Sequence, residues 1–117
     1  MDDDVNILLL FESYLREEGF YVDSFVNPKE AMRKFEPGFY DLILVDIRMP
    51  FMNGFELSRI VRATDKSIKI CFLTGFDTYY QSLKQQFKLD IDCFLRKPIG
   101  KEELIAHIIA HLNNDTL

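Results

Sequence analysis

Leu42-Ile43-Leu44-Val45-Asp46-Ile47-Arg48-Met49-Pro50-Phe51-Met52-Asn53-Gly54 is the stretch whose reading decides the fold. A short apolar run closed by turn residues reads as a fully buried strand of a parallel sheet. In open α/β sheets, ligands bind just beyond the carboxyl ends of such strands. Asp46 therefore stands at the mouth of a crevice, held by a rigid element and exposed to solvent, where a chemically used carboxylate belongs. The competing assignment is a loop aspartate capping the following helix.

Working outward, apolar periodicity alternates between helix and strand. Ile7, Leu8, Phe11, Tyr14 and Leu15 recur at helical spacing, with Gly19 as a C-cap candidate. Residues 21–26 read as a short strand. Asn27-Pro28 is an N-cap followed by proline at the first helical position, and Ala31, Met32 and Phe35 supply one face until Pro37-Gly38. After the strand at 42–45 comes a helix carrying Leu57, Ile60, Val61 and Thr64, then a strand at 68–73. Tyr79, Leu83 and Phe87 mark a further helix, residues 91–95 a strand, and Leu104, Ile105, Ile108, Ile109 and Leu112 a last helix. This alternation predicts an α/β fold, a doubly wound parallel sheet with helices on both faces.

Composition narrows the function. With 117 residues and 48% hydrophobic content, the chain supports one domain over 1–117, and no attached output domain is expected. A net charge of −5, with 14 scattered basic residues, argues against nucleic acid as a direct partner. The apolar runs are too short to span a bilayer and the acidic start carries no secretory signal, so no membrane association and a cytoplasmic location are expected.

The remaining polar groups at strand ends point one way. Asp2-Asp3-Asp4 precedes the first helical pattern, Thr74 follows Ile70-Cys71-Phe72-Leu73, and Lys97-Pro98 follows Cys93-Phe94-Leu95-Arg96. All would gather with Asp46 at one edge of the sheet. In this order, an acidic pair, a strand-end Asp with Met-Pro and Gly, a strand-end Thr and a Lys-Pro, the chain resembles the response regulator receiver domain of two-component signalling. Asn27-Pro28 and Phe39-Tyr40-Asp41-Leu42 are similar to archaeal stand-alone members.

The resemblance implies a flavodoxin-like sheet in the order 2-1-3-4-5. Its first strand is missing from this chain, because Met1 stands where that strand would end. Three explanations arise: a start further upstream, which we favour at this point, a sheet that closes around the gap, or a strand supplied by another copy.

By the same resemblance Asp46 is the phosphoacceptor, assisted by Thr74 and Lys97. Mg²⁺ would be held by Asp3 directly, by Asp2 through water, by Asp46 and by the Arg48 backbone carbonyl. Hard carboxylate oxygens suit Mg²⁺, and unscreened carboxylates about 4 Å apart would repel by about 4 kcal/mol per pair at an effective dielectric of about 20. Thr74 and Phe94 would form the switch, the Lys97–Pro98 peptide would be cis, and Asp4 reads as a helix cap. A histidine kinase is the implied donor and a downstream protein the target, engaged through the last two helices and strand, with a homodimer also open. Such a protein modifies only itself and is not an enzyme in the usual sense. The alternative reading is a phosphorylation-independent pseudo-receiver acting as a protein-binding module, and a small phosphohydrolase is the third.

Two features stand outside this scheme. Cys71 and Cys93 fall inside apolar strand patterns and read as buried free thiols serving as small hydrophobes. Neighbouring strands would permit a disulfide, which a reducing compartment disfavours. His107 and His111 lie four apart on the last helix, without the Glu of a zinc-protease motif, and read as cations near a helix C-terminus.

Overall fold

Strands in this chain bury both faces, and the sheet sorts its residues by parity into two cores. In the computed structural model, which describes residues 1–49, 51–75 and 93–113, the elements are α1 (Val5–Glu17), α2 (Pro28–Lys34), β1 (Leu42–Asp46), α3 (Gly54–Thr64), β2 (Lys69–Thr74), β3 (Phe94–Arg96) and α4 (Lys101–Asn113). The strands pair in parallel in the order β1-β2-β3, with Asp46 opposite Leu73 and Thr74 opposite Arg96. Cys71, Leu73, Cys93 and Leu95 pack with Phe11 of α1 and Leu104 and Ile108 of α4. The intervening Phe72, with Val45 of β1, packs instead on Phe55, Leu57 and Val61 of α3. Successive residues of a strand point to opposite faces, so a three-layer α/β/α arrangement follows. The helix expected around Tyr79, Leu83 and Phe87, together with residues 91 and 92 of the last predicted strand, lies outside the described residues.

Helix ends follow their sequence signals. Asp4 caps α1, its carboxylate accepting from the Asn6 and Ile7 N–H groups. Gly19 ends that helix with φ +92°, a left-handed conformation that glycine adopts without steric cost. Asn27 and Asn53 cap α2 and α3 in the same way.

The outer edge of β1 departs from expectation. Residues 21–26 do not form a strand; they run beside the sheet without a ladder. Among the described residues, Met1 and Asp2 take strand-like places between this segment and β1. Met1 donates its amino group to Leu44 O at 2.7 Å and accepts from Asp46 N–H at 2.9 Å, while Asp2 N–H donates to Phe25 O at 3.3 Å. Beyond Met1 lies an apolar cavity of about 390 Å³, lined by residues including Leu8, Phe11, Phe20, Phe25, Leu42 and Leu44. The sheet has not closed around the gap.

Candidate functional site

β1 and β2 end side by side, and the β2–β3 pairing brings the next turn up to them. Lys97 follows β3 directly and its backbone N–H donates to Thr74 O at 2.8 Å. The Lys97–Pro98 peptide is cis, as the resemblance implied. The lysine side chain turns back over the end of β1, with Nζ 3.1 Å from Asp2 Oδ2 and 3.4 Å from Asp46 Oδ2. One ammonium thus bridges two carboxylates contributed by segments distant in sequence.

Asp2 is 1% exposed and fixed from several sides. Its Oδ1 accepts from Asp4 N–H at 2.9 Å, its Oδ2 from Lys97, and its own N–H is held by Phe25. Asp3 is exposed, and one carboxylate oxygen from each of Asp2, Asp3 and Asp46 lies within 4.8 Å of the others. Three carboxylates against one ammonium leave an excess of negative charge gathered on hard oxygen donors. That set fits Mg²⁺ in charge and in ligand type.

Asp46 corrects one expectation. The residue is 5% exposed rather than open to solvent, because Asp2, Lys97 and the loop after β1 close around it. Its pKa is pushed up to about 6, first by burial and then by the Asp2 charge, against the opposing pull of Lys97 and of the Arg48 N–H, which donates to Oδ1 at 3.4 Å. Burial works against the charge on Lys97 as well, but the Asp46 and Asp2 carboxylates outweigh it and hold the ammonium above its ordinary pKa. A buried, partly compensated carboxylate with a fixed ammonium is poised to gain from a further cation.

Two contributors were not read from the sequence. Gly54 opens α3 so close to β1 that a Cβ there would meet Asp46 O at 2.5 Å and Ile47 Cα at 3.0 Å. The glycine was visible in the opening stretch, but a close backbone approach leaves no periodic signal. Met1 is the other; its amino group is drawn down to a pKa of about 6 by burial, against the Asp2 and Asp46 charges. Between them, Phe51 takes φ 73°, an uncommon conformation for a bulky residue, in the loop that carries the chain from Asp46 to the Asn53 cap.

Thr74 is buried at the end of β2, one residue past the partner of Asp46. Phe94 is half-buried and turned to the α3 face, its ring 5.6 Å from Phe72 and 6.2 Å from Phe55 between centroids. Asp4 is the helix cap it was expected to be. The cysteines correct a second expectation: Cys71 and Cys93 are joined as a disulfide rather than standing as separate thiols. The parallel register makes them direct neighbours, with Cα atoms 4.6 Å apart, within the range a disulfide spans.

Comparison with known proteins agrees with this geometry. The family model described as the response regulator receiver domain matches residues 1–109. The chain is 33% identical to the transcriptional regulatory protein RprY of Bacteroides fragilis over 111 residues, 95% of this chain and 47% of that protein. It is 35% identical to CusR of Escherichia coli over 94 residues, 80% of this chain and 41% of that protein. The chain thus spans under half the length of these relatives. Among solved structures, a CheY-like receiver domain protein from Methanospirillum hungatei superposes with a TM-score of 0.85 at 28% identity, covering 97% of this chain and 90% of that one. TrrA of Thermotoga maritima, solved in complex with Mg²⁺ and BeF, gives 0.79 at 34% identity, covering 93% and 92%.

Proposed function

The chain belongs to the response regulator receiver domain family of two-component systems, and on that premise we propose that Asp46 accepts a phosphoryl group from a histidine kinase. The observation that carries this reading is the Lys97 ammonium bridging Asp2 and Asp46 at the carboxyl end of the sheet. An Asp46 carboxylate oxygen attacks phosphorus, the phosphorus–nitrogen bond of the donor phosphohistidine breaks, and the imidazole leaves with the electron pair and takes up a proton. Such a transfer depends on positioning and charge stabilisation more than on covalent work by the protein. Asp46 supplies the nucleophile on a rigid strand end, Lys97 stays charged and offsets the added negative charge, and the Thr74 hydroxyl sits on the neighbouring strand end to donate toward the phosphoryl oxygens.

Asp2, Asp3 and Asp46, with the Arg48 carbonyl, would hold Mg²⁺. When bound, the ion neutralises charge on the transferring group. The TrrA complex with Mg²⁺ and BeF, at 34% identity, supports that assignment. Signalling then follows as a local charge event that biases a two-state element, here Thr74 and the Phe94 ring. The downstream partner is a protein that reads the face formed by β3, α4 and the helix expected around Tyr79, Leu83 and Phe87, which lies outside the described residues, or a second copy of the domain, and the site of action is the cytoplasm. No described helix is long and apolar enough to cross a membrane.

Incubation with Mg²⁺ and a small phosphodonor, followed by intact mass, is expected to add one phosphoryl group to the wild type and none to Asp46→Asn. No addition to the wild type would favour a phosphorylation-independent binding module. Multiple turnover with steady release of phosphate would favour a phosphohydrolase.

A further inference from the structure

We propose that the reduced protein binds zinc(II) through Cys71, Cys93 and His111, a second metal site separate from the acidic one and excluded whenever the disulfide is closed. The two cysteines face each other across β2 and the start of β3, where Phe72 N–H donates to Cys93 O at 2.9 Å. Both are buried, at 0% and 2% exposure. His111, in the last turn of α4, is half-buried and lies over the same face of the sheet. The two Sγ atoms and one imidazole nitrogen lie within 4.8 Å of one another. Tetrahedral zinc, with Zn–S of about 2.3 Å and Zn–N of about 2.0–2.1 Å, needs ligand atoms about 3.5–3.8 Å apart. Once the S–S bond opens, side-chain torsions alone can reach that spacing, and the backbone pairing holds the two thiols together.

Charge selects the ion. The surroundings are apolar, with Phe11, Leu73, Leu95 and Ile108 in the same cluster, and an uncompensated charge there is costly. Two thiolates and a neutral imidazole cancel a divalent cation, whereas a monovalent ion would leave one negative charge buried. Sulfur and imidazole donors select zinc over the magnesium that suits the carboxylates. The half-buried imidazole gives the site an edge toward water, which supplies the fourth ligand and the path for the ion.

The steps balance. A dithiol reductant transfers two electrons and two protons to the Cys71–Cys93 bond and closes to its own cyclic disulfide. Zinc then displaces both thiol protons as two zinc–sulfur bonds form. Nothing here depends on the phosphoryl chemistry of Asp46.

The test is cobalt(II) titration of reduced and oxidised protein, followed by zinc displacement. Reduced wild type is expected to bind one cobalt with thiolate-to-metal charge-transfer absorption, which zinc abolishes, while oxidised protein shows none. His111→Gln, a change at a half-buried helix end, is expected to weaken binding by more than about 10-fold, and Asp46→Asn to leave the absorption unchanged. The proposal is overturned if reduced protein lacks the charge-transfer band, if oxidised protein shows it equally, or if His111→Gln binds as tightly as wild type. Cys93→Ser is expected to remove the band, and if that variant fails to fold, the wild-type spectrum and His111→Gln still decide.

Discussion

The two edges of β1 are built from the same five residues and have opposite fates. Toward β2 the strand is fully paired: Lys69 N–H reaches Asp41 O at 3.0 Å at one end and Ile47 N–H reaches Leu73 O at 3.0 Å at the other. Toward residues 21–26, among the described residues, Met1 pairs with it, bridging Leu44 and Asp46, and then the apolar cavity begins. The difference teaches that a β pattern is realised only where a ladder partner exists, because backbone polar groups need partners as much as apolar side chains need cover. It also teaches why the site survives beside a cavity. Met1 and Asp2 make strand-like contacts at the carboxyl end, which is the end that carries Asp46 and Lys97.

Packing on the paired side should dominate stability. Phe72→Ala removes a ring that is 1% exposed between Phe55 and Phe94 and is expected to cost about 3–5 kcal/mol. Tyr21→Ala, at a residue 76% exposed on the cavity side, should cost less than about 0.5 kcal/mol. Urea denaturation of the two variants measures the contrast, and similar losses would erase it.

Backbone parity gives a finer test. Ile43, Val45 and Ile47 turn their N–H groups to β2, while Leu42, Leu44 and Asp46 turn theirs the other way, as the Ile47 and Asp46 bonds establish. Amide exchange should therefore be at least about 100-fold slower at Val45 than at Leu44, a difference worth about 2.7 kcal/mol of local opening. Equal protection would mean that the cavity edge is paired in solution.

At the carboxyl end the paired structure leaves no room. Gly54→Ala would drive a Cβ into the backbone of Asp46 and Ile47, and overpacking of this kind costs about 1–3 kcal/mol. A thermal melt unchanged from wild type would show that the turn relaxes freely.

A further test is electrostatic. The Asp46 pKa of about 6 lies above its unfolded value of 3.8, so the folded state holds this proton more tightly. The resulting stabilisation is complete below about pH 4 and is lost as pH rises through about 6. In metal-free protein, Asp46→Asn should therefore melt higher than wild type at pH 7, and the gap should shrink toward pH 4. Mg²⁺ should raise the wild type selectively at pH 7. A gap that widens on acidification would reverse the assignment.

Much of this was legible in the sequence because the chemistry sits at strand ends. Asp46, Thr74 and Lys97 each close an apolar run, so their convergence follows from parallel topology, and the Asp4 cap and the Gly19 C-cap follow from local backbone rules. What was not legible depends on distance relations between segments. Periodicity marks residues 21–26 as extended-prone without saying whether a partner lies beside them. The burial of Asp46 comes from Asp2 and Lys97 folding over it, and the Cys71–Cys93 bond from a register that no local pattern encodes. Gly54 was in plain view, yet its role appears only once α3 is laid against β1.

The most direct measurement of the central claim is chemical mapping of the modified residue. Protein treated with Mg²⁺ and a small phosphodonor should react with hydroxylamine, which cleaves an acyl phosphate and leaves a hydroxamate on the carboxyl that carried it. The account predicts that hydroxamate on Asp46, and on no other carboxylate. A hydroxamate on a different residue, or none on protein incubated under these conditions, would contradict it.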